Sequence, residues 1–236
     1  MTTARKGDVV ALLLAIRGVM EANQQALDEL DAVAADGDHG ATMVMGWRNV
    51  ADEVSADAPP AIGPLLKAAG GAFADVGGSI GPLWGTALLR AGQAVGDAEQ
   101  LPLGLAAQAV AAAVAGVAER GRCEEGDKTL LDVLAPASRA LSRASDAGET
   151  AVTSVDAARD AAASALQATS EMPATRGRAR RLSERSIGHA DPGAASAYLM
   201  WSTAAALLGG GSATDITLPP AGPPPRGKSP TGRRGG

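Results

Sequence analysis

Apolar positions recur along this chain at helical spacing almost from its start. Val9, Leu12, Leu13, Ile16, Val19 and Met20 share one stripe and Leu27 and Leu30 extend it, which predicts one long amphipathic helix ending near Asp31. Similar patterns predict helices over 41–55, 61–75, 82–98, 102–119, 128–143, 148–170 and 192–208, and no alternating β-branched run competes with them. The expected fold is all-α, about eight helices in a bundle. With aromatic residues at 2% and alanine abundant, the helices are expected to pack closely, because small side chains let backbones approach.

The breaks between these helices carry the polar chemistry. "ADGDHG", "GGSIGP", "GRCEEGDKT" and "RSIGHADPG" are glycine-rich, and three of them are charged, more than a bundle needs for its turns. Residues 219–236, "PPAGPPPRGKSPTGRRGG", hold six prolines and five glycines and are expected to be disordered. The expected division is a folded domain over 1–212 and a Pro/Gly/basic tail over 213–236.

Charge narrows the function. The net charge is −5, and because four basic residues lie in 219–236, the rest of the chain has 17 basic against 26 acidic residues, or −9. An acidic body argues against direct nucleic-acid binding. Cys123 is the single cysteine, which rules out an internal disulfide and makes a reducing cytoplasm the expected setting. The apolar run near the N-terminus begins at Asp8 and is closed by Arg17, unlike a signal peptide. The stretches at 102–118 and 194–211 are short and rich in alanine and glycine, so buried helices are expected there and no membrane span.

Asp31, Asp36 and Asp38 crowd a helix end and a turn. Three carboxylates brought together repel unless a cation lies between them, and an oxygen-only set suits Mg²⁺. An EF-hand fails, because twelve-residue loops counted from Asp31 or Asp36 end on Thr42 or Trp47 where a glutamate is required. Spacing alone leaves a second reading open, a turn in which Asp36 or Asp38 caps the next helix. Gly37 and Gly40 give backbone freedom, and a helix starting after Gly40 presents unpaired N–H groups. "GGSIGP" at 77–82 repeats the device, with Ser79 as an oxygen donor and Pro82 near the helix start. "GDKT" at 126–129 lacks the order of a Walker motif. The two histidines, His39 and His189, sit among glycine and aspartate, and Arg176, Arg178, Arg180, Arg181 and Arg185 crowd one segment, either as a solvated face or as polyphosphate contacts. No nucleophilic triad is evident, so the residues read as holding phosphate rather than attacking a carbonyl.

Four motifs in order, "LDAVAADGDHG" (30–40), "GGSIGPLWGTALLRAG" (77–92), "GDKTLLDVLAPA" (126–137) and "TRGRARRLSERSIGHADPGAASA" (175–197), resemble the nucleotide-binding L subunit of bacterial dihydroxyacetone kinases, equivalent to the C-terminal domain of the single-chain enzymes. The likeness runs from about residue 8 to 210. It implies an eight-helix antiparallel barrel with a nucleotide site at one end, where residues matching Asp31, Asp36 and Asp38 hold two Mg²⁺ ions. The matching contacts to ADP or ATP are His39, Gly40, Ala41, Thr42, Gly78, Ser79, Gly121, Leu130, Arg178, Asp191, Pro192 and Gly193, and Arg178 is the expected catalytic residue. The resemblance further implies a separate K subunit that holds the sugar, a phosphoryl donor that is either ATP or a phosphotransferase-system M subunit, and a dimer or heteromer. Expected activities are phosphorylation of dihydroxyacetone or of a ketose such as erythrulose, with a regulatory nucleotide-binding protein as the alternative. The chain departs from the family pattern at Ile80, where serine is common, and at Arg180, Arg181 and Ser183, where "GRASYLGERS" is common.

Overall fold

A computed structural model describes residues 3–56, 59 and 61–219, with Ala56 and Arg178 described for the backbone alone. The expected first helix is two: α1 (Lys6–Ala22) and α2 (Gln24–Ala32) meet at Asn23. At the junction Asn23 leaves the helical region, with φ −107° and ψ 9°, while its Nδ2 donates to Val19 O at 2.8 Å beside its own backbone N–H. The chain continues as α3 (His39–Ala56), α4 (Ile62–Ala74), α5 (Ile80–Val95), α6 (Leu103–Gly121), α7 (Leu131–Asp146) and α8 (Ala151–Thr169). An arm follows, with a 3₁₀ turn over Arg178–Leu182 and a short α9 (Ser183–Ser186), before α10 (Pro192–Leu208). The one strand pairing among the described residues, not expected from the sequence, joins β1 (Ala4–Arg5) antiparallel to β2 (Gln100–Leu101).

The helices close into a ring. Each packs against its neighbour in sequence, α1 on α3, then α3 through α8 in order, then α8 on α10, and α10 returns to α1. With α2 continuing the stroke of α1, this is an eight-stroke antiparallel barrel. Trp47, Phe73, Met20, Leu27, Met43, Ile62, Leu65 and Leu199 fill the interior, with Trp47 edge-on to Phe73 at 5.4 Å between ring centroids. Where α4 meets α5, small residues permit contact that no side chain could share: a Cβ on Gly63 would lie 2.0 Å from Gly96 O. The expected close packing is therefore realised at the backbone.

Of the two apolar stretches, α10 is buried along most of its length. The other, α6, is long and apolar enough to cross a membrane by length and composition, yet only 22% of that window is buried, less than the sequence led us to expect. It packs between α5 and α7 through Ala107, Ala109, Gly116 and Val117 and leaves its other small side chains half exposed.

The packed body also passes the boundary expected at residue 212. Ala213, Ile216 and Leu218 rest against the core. Asn23 ties them down, donating to Ile216 O at 2.8 Å and accepting from Leu218 N at 3.2 Å. Residues 220–236, most of the expected tail, lie outside the described residues.

Candidate functional site

In a ring of alternating strokes, every second connection falls at the same end. The connections 33–38, 75–79, 122–130 and 170–191 therefore meet, although up to about 150 residues separate them in sequence. They enclose a cavity of about 460 Å³, the size of a small-molecule site. Each end of such a ring carries four helix starts and four helix ends, so the macrodipoles largely cancel. What the cavity prefers is set locally, by its lining.

Asp31 occupies the last turn of α2, where the dipole disfavours an anion. Its Oδ2 accepts the backbone N–H groups of Gly37 at 2.9 Å and Asp38 at 3.1 Å, folding the turn back onto the helix end. Gly37 makes that turn with φ +76°, a left-handed conformation that favours glycine. Asp31, Asp36 and Asp38 each bring one carboxylate oxygen within 4.8 Å of the others. Burial pushes the Asp31 carboxyl above its ordinary range, the two N–H bonds pull it back, and the charges of Asp38 and Asp36 push it up again. A hard, oxygen-only donor set under mutual repulsion fits a divalent cation such as Mg²⁺.

His39 opens α3 and is 8% exposed. Burial drops its pKa to about 4, so the ring is neutral near pH 7. Its Nε2 lies 3.1 Å from Ser196 Oγ on α10, while Ser196 Oγ donates to Gly193 O at 2.9 Å. Thr42, one turn on, also lines the cavity.

The predicted neighbours Gly40 and Ala41 do not line it. A Cβ on Gly40 would lie 2.1 Å from Gln24 O, so this glycine seats α3 on the start of α2. The Ala41 N–H is given to Asp28 Oδ1 at 3.1 Å. Asp28, which the sequence reasoning passed over, caps α3 from thirteen residues away. Asp36 likewise faces a second hollow beside Glu21, Asp28 and Glu29, touching the main cavity only through the triad.

Gly78 and Ser79 line the cavity and are exposed, and α5 begins after Ser79, which makes no side-chain capping hydrogen bond. Ser79 thus leaves the first N–H groups of α5 without the local side-chain acceptor that a serine at this position can supply. Ile80 lines the cavity and packs on the core, so an apolar side chain stands at the first turn of α5. Gly121 and the buried Leu130 form another wall, and a Cβ on Gly121 would meet Cys123 Sγ at 2.9 Å and Leu83 Cδ2 at 3.2 Å.

Asp191, Pro192 and Gly193 complete the wall from α10. Asp191 caps that helix, with Oδ1 accepting from Ala194 N at 2.7 Å, and burial raises its pKa to about 7. The arm at 170–191 contributes Arg176, Gly177 and Ala179. Arg176 pairs with Asp127, Nε to Oδ2 at 3.0 Å. For Arg178 the structure describes only backbone, at the start of the 3₁₀ turn, so its expected catalytic contact lies outside the described side chains. Lys128 was missed as a site residue, since "GDKT" offered only a failed Walker match. It lines the cavity, buried, with its ammonium on three carbonyls.

A family model described as the DAK2 domain matches residues 33–206. Over 183 residues the chain is 39% identical to the "PEP-dependent dihydroxyacetone kinase, ADP-binding subunit DhaL" of Escherichia coli, covering 77% of this chain and 87% of that one. It is 38% identical over 194 residues to "L-erythrulose 1-kinase" of Mycolicibacterium smegmatis, covering 80% of this chain but 33% of that longer protein. Its fold matches the crystal structure of the dihydroxyacetone kinase from C. freundii in complex with AMP-PNP and Mg²⁺, with a TM-score of 0.66 at 23% identity over 87% of this chain and 34% of that one. On these matches the chain belongs to the DAK2 domain family and is of the DhaL type.

Proposed function

We propose that this chain is the nucleotide-binding subunit of a heteromeric kinase for dihydroxyacetone or a related ketose, passing a phosphoryl group to a sugar held on a separate K subunit. The observation that carries the proposal is the aspartate triad at the same end of the ring as a cavity with an uncapped helix start. Asp31, Asp36 and Asp38 would hold two Mg²⁺ ions, which when bound neutralise phosphate charge and fix its oxygens. The start of α5 at Gly78 and Ser79 offers N–H groups to the phosphates. Ile80, Leu83, Leu130 and Pro192 give an apolar wall for the base. His39 stays neutral beside Ser196, and Thr42 and Gly121 line the cavity with it. We assign Arg178 to the transfer step. In this reading the protein is cytoplasmic and holds ADP or ATP. The name of the E. coli relative, an ADP-binding subunit of a PEP-dependent kinase, favours ADP over ATP; in this reading the ADP is retained and a phosphotransferase-system M subunit recharges it.

A second reading changes the sugar and not the chemistry. The likeness to an L-erythrulose kinase favours a four-carbon ketose, since the sugar would be chosen by the partner.

The experiment is to purify the protein, desalt it, denature it and identify released nucleotide by chromatography and mass spectrometry. About one ADP per chain, or reversible binding of added Mg·ATP, is expected, followed by sugar phosphorylation once a K subunit is added. Failure to bind either nucleotide overturns the proposal, and binding without transfer favours a regulatory protein.

A further inference from the structure

The aspartate triad and the helix starts leave one wall of the cavity unexplained, the arm between α8 and α10. Its tip is mostly exposed, with Arg180, Arg181 and Arg185 facing solvent. Its two limbs are held at the base by the loop over residues 122–130, which lies directly against them. Lys128, 4% exposed, donates from Nζ to Met172 O at 3.0 Å on the outgoing limb, and to Ser186 O at 2.5 Å and His189 O at 2.8 Å on the returning one. An ammonium has three N–H bonds, and here all three are spent on carbonyls.

The loop that delivers this side chain is built for it. Lys128 adopts φ +60°, a left-handed conformation costly for a residue with a side chain. Buried Asp132 holds the turn, accepting Gly126 N at 2.5 Å and Thr129 N at 2.6 Å. Asp127 adds a second tie to the outgoing limb: its carboxylate accepts the Thr175 hydroxyl and Arg176 Nε, and its carbonyl accepts Thr175 N at 3.2 Å. Ser186 Oγ joins the limbs directly by accepting Ala174 N at 3.0 Å. A buried cation without a carboxylate among its hydrogen-bond partners is expensive, so an ammonium at this point needs a purpose that a neutral residue could not serve. Closing the base of a loop through three charge-assisted bonds is such a purpose.

We infer that Lys128 is a positioning residue for nucleotide binding, clamping both limbs of the arm so that residues 176–179 stand as a wall of the cavity, without itself touching the phosphates. The inference rests on the cavity being a nucleotide site.

The test uses the full chain as wild type, Lys128→Met and Thr175→Val. Calorimetry gives the Kd for Mg·ADP, and trypsin reports the arm through cleavage after its exposed arginines. Lys128→Met is expected to weaken Mg·ADP about tenfold or more and to speed cleavage within 176–185. Saturating Mg·ADP is expected to slow that cleavage again, and with a K subunit the loss should fall mainly on the KM for nucleotide. Thr175→Val removes a hydroxyl tie to Asp127 and leaves the ammonium in place, so it should shift both readings the same way by less and keeps the test open if Lys128→Met does not fold. Wild-type affinity in both variants would overturn the inference. So would weakened affinity with unchanged cleavage, which would mean that Lys128 meets the ligand directly. Wild type that binds no Mg·ADP would overturn the nucleotide reading itself, a result distinct from failure of the clamp.

Discussion

His39 and Ser196 form a buried pair, with Nε2 3.1 Å from Oγ. A hydroxyl has one proton to give, and with Ser196 Oγ donating it to Gly193 O at 2.9 Å the matching tautomer of His39 donates from Nε2 and keeps Nδ1 as its acceptor. The pair ties the start of α3 to the first turn of α10 across the site. Ser196→Ala leaves the Nε2–H buried without that partner and should cost about 1–3 kcal/mol of stability. Urea unfolding near pH 7 checks this, and an unchanged midpoint would show that the pair does not constrain the fold.

The metal reading makes a claim about Asp36, which lies off the main cavity. Asp36→Ala and Asp38→Ala should each weaken Mg²⁺-dependent ADP binding by about tenfold or more while leaving helicity intact. Titration of nucleotide at several Mg²⁺ concentrations, with circular dichroism as control, separates the two effects. Equal binding by both variants would remove the triad as a metal centre.

Gly40 tests packing against phosphate contact. A methyl group there would meet Gln24 O at 2.1 Å, so Gly40→Ala should force α3 away from α2 and destabilise the protein by about 1–3 kcal/mol. The loss is expected without nucleotide as well as with it. A variant with normal apo stability and impaired binding would restore Gly40 to the ligand contacts.

Asn23 joins the first stroke of the ring to the far end of the chain. Asn23→Ala removes the buried ties to Ile216 and Leu218 and should release residues 213–218 from the core. Hydrogen exchange at the Leu218 amide is expected to speed up strongly, with about 1–3 kcal/mol lost in stability. Unchanged exchange would mean that apolar packing alone holds the segment.

Asp191 supplies the pH dependence. Its folded pKa, about 7, lies above the ordinary carboxylate value, so between about pH 4 and 7 the folded state binds more protons than the unfolded one. Its contribution to stability is therefore full below about pH 4 and is lost as pH rises through 7. Asp191→Asn keeps an acceptor for the Ala194 N–H and should flatten this fall in nucleotide-free protein. Unfolding curves at pH 5 and pH 7.5 for both proteins provide the measurement, and parallel losses in the two would exclude Asp191 as the source.

What the sequence determined by itself was mostly local. Apolar spacing marked the helices, the small residues foretold close packing, which is realised where α4 meets α5, and the grouping of Asp31, Asp36 and Asp38 was legible because carboxylates within seven residues can meet around one turn. Four motifs in order carried the family resemblance. The ring, through its alternating ends, decided which loops meet, and packing decided the rest. Asp28 reaches Ala41 over 13 residues, Lys128 reaches His189 over 61, and Asn23 reaches Leu218 over 195. Periodicity records which face of an element is apolar, but a hydrogen bond between distant segments leaves no period in either one. For that reason Asp31 was visible in the sequence, and Lys128 became visible only where the arm folds over it.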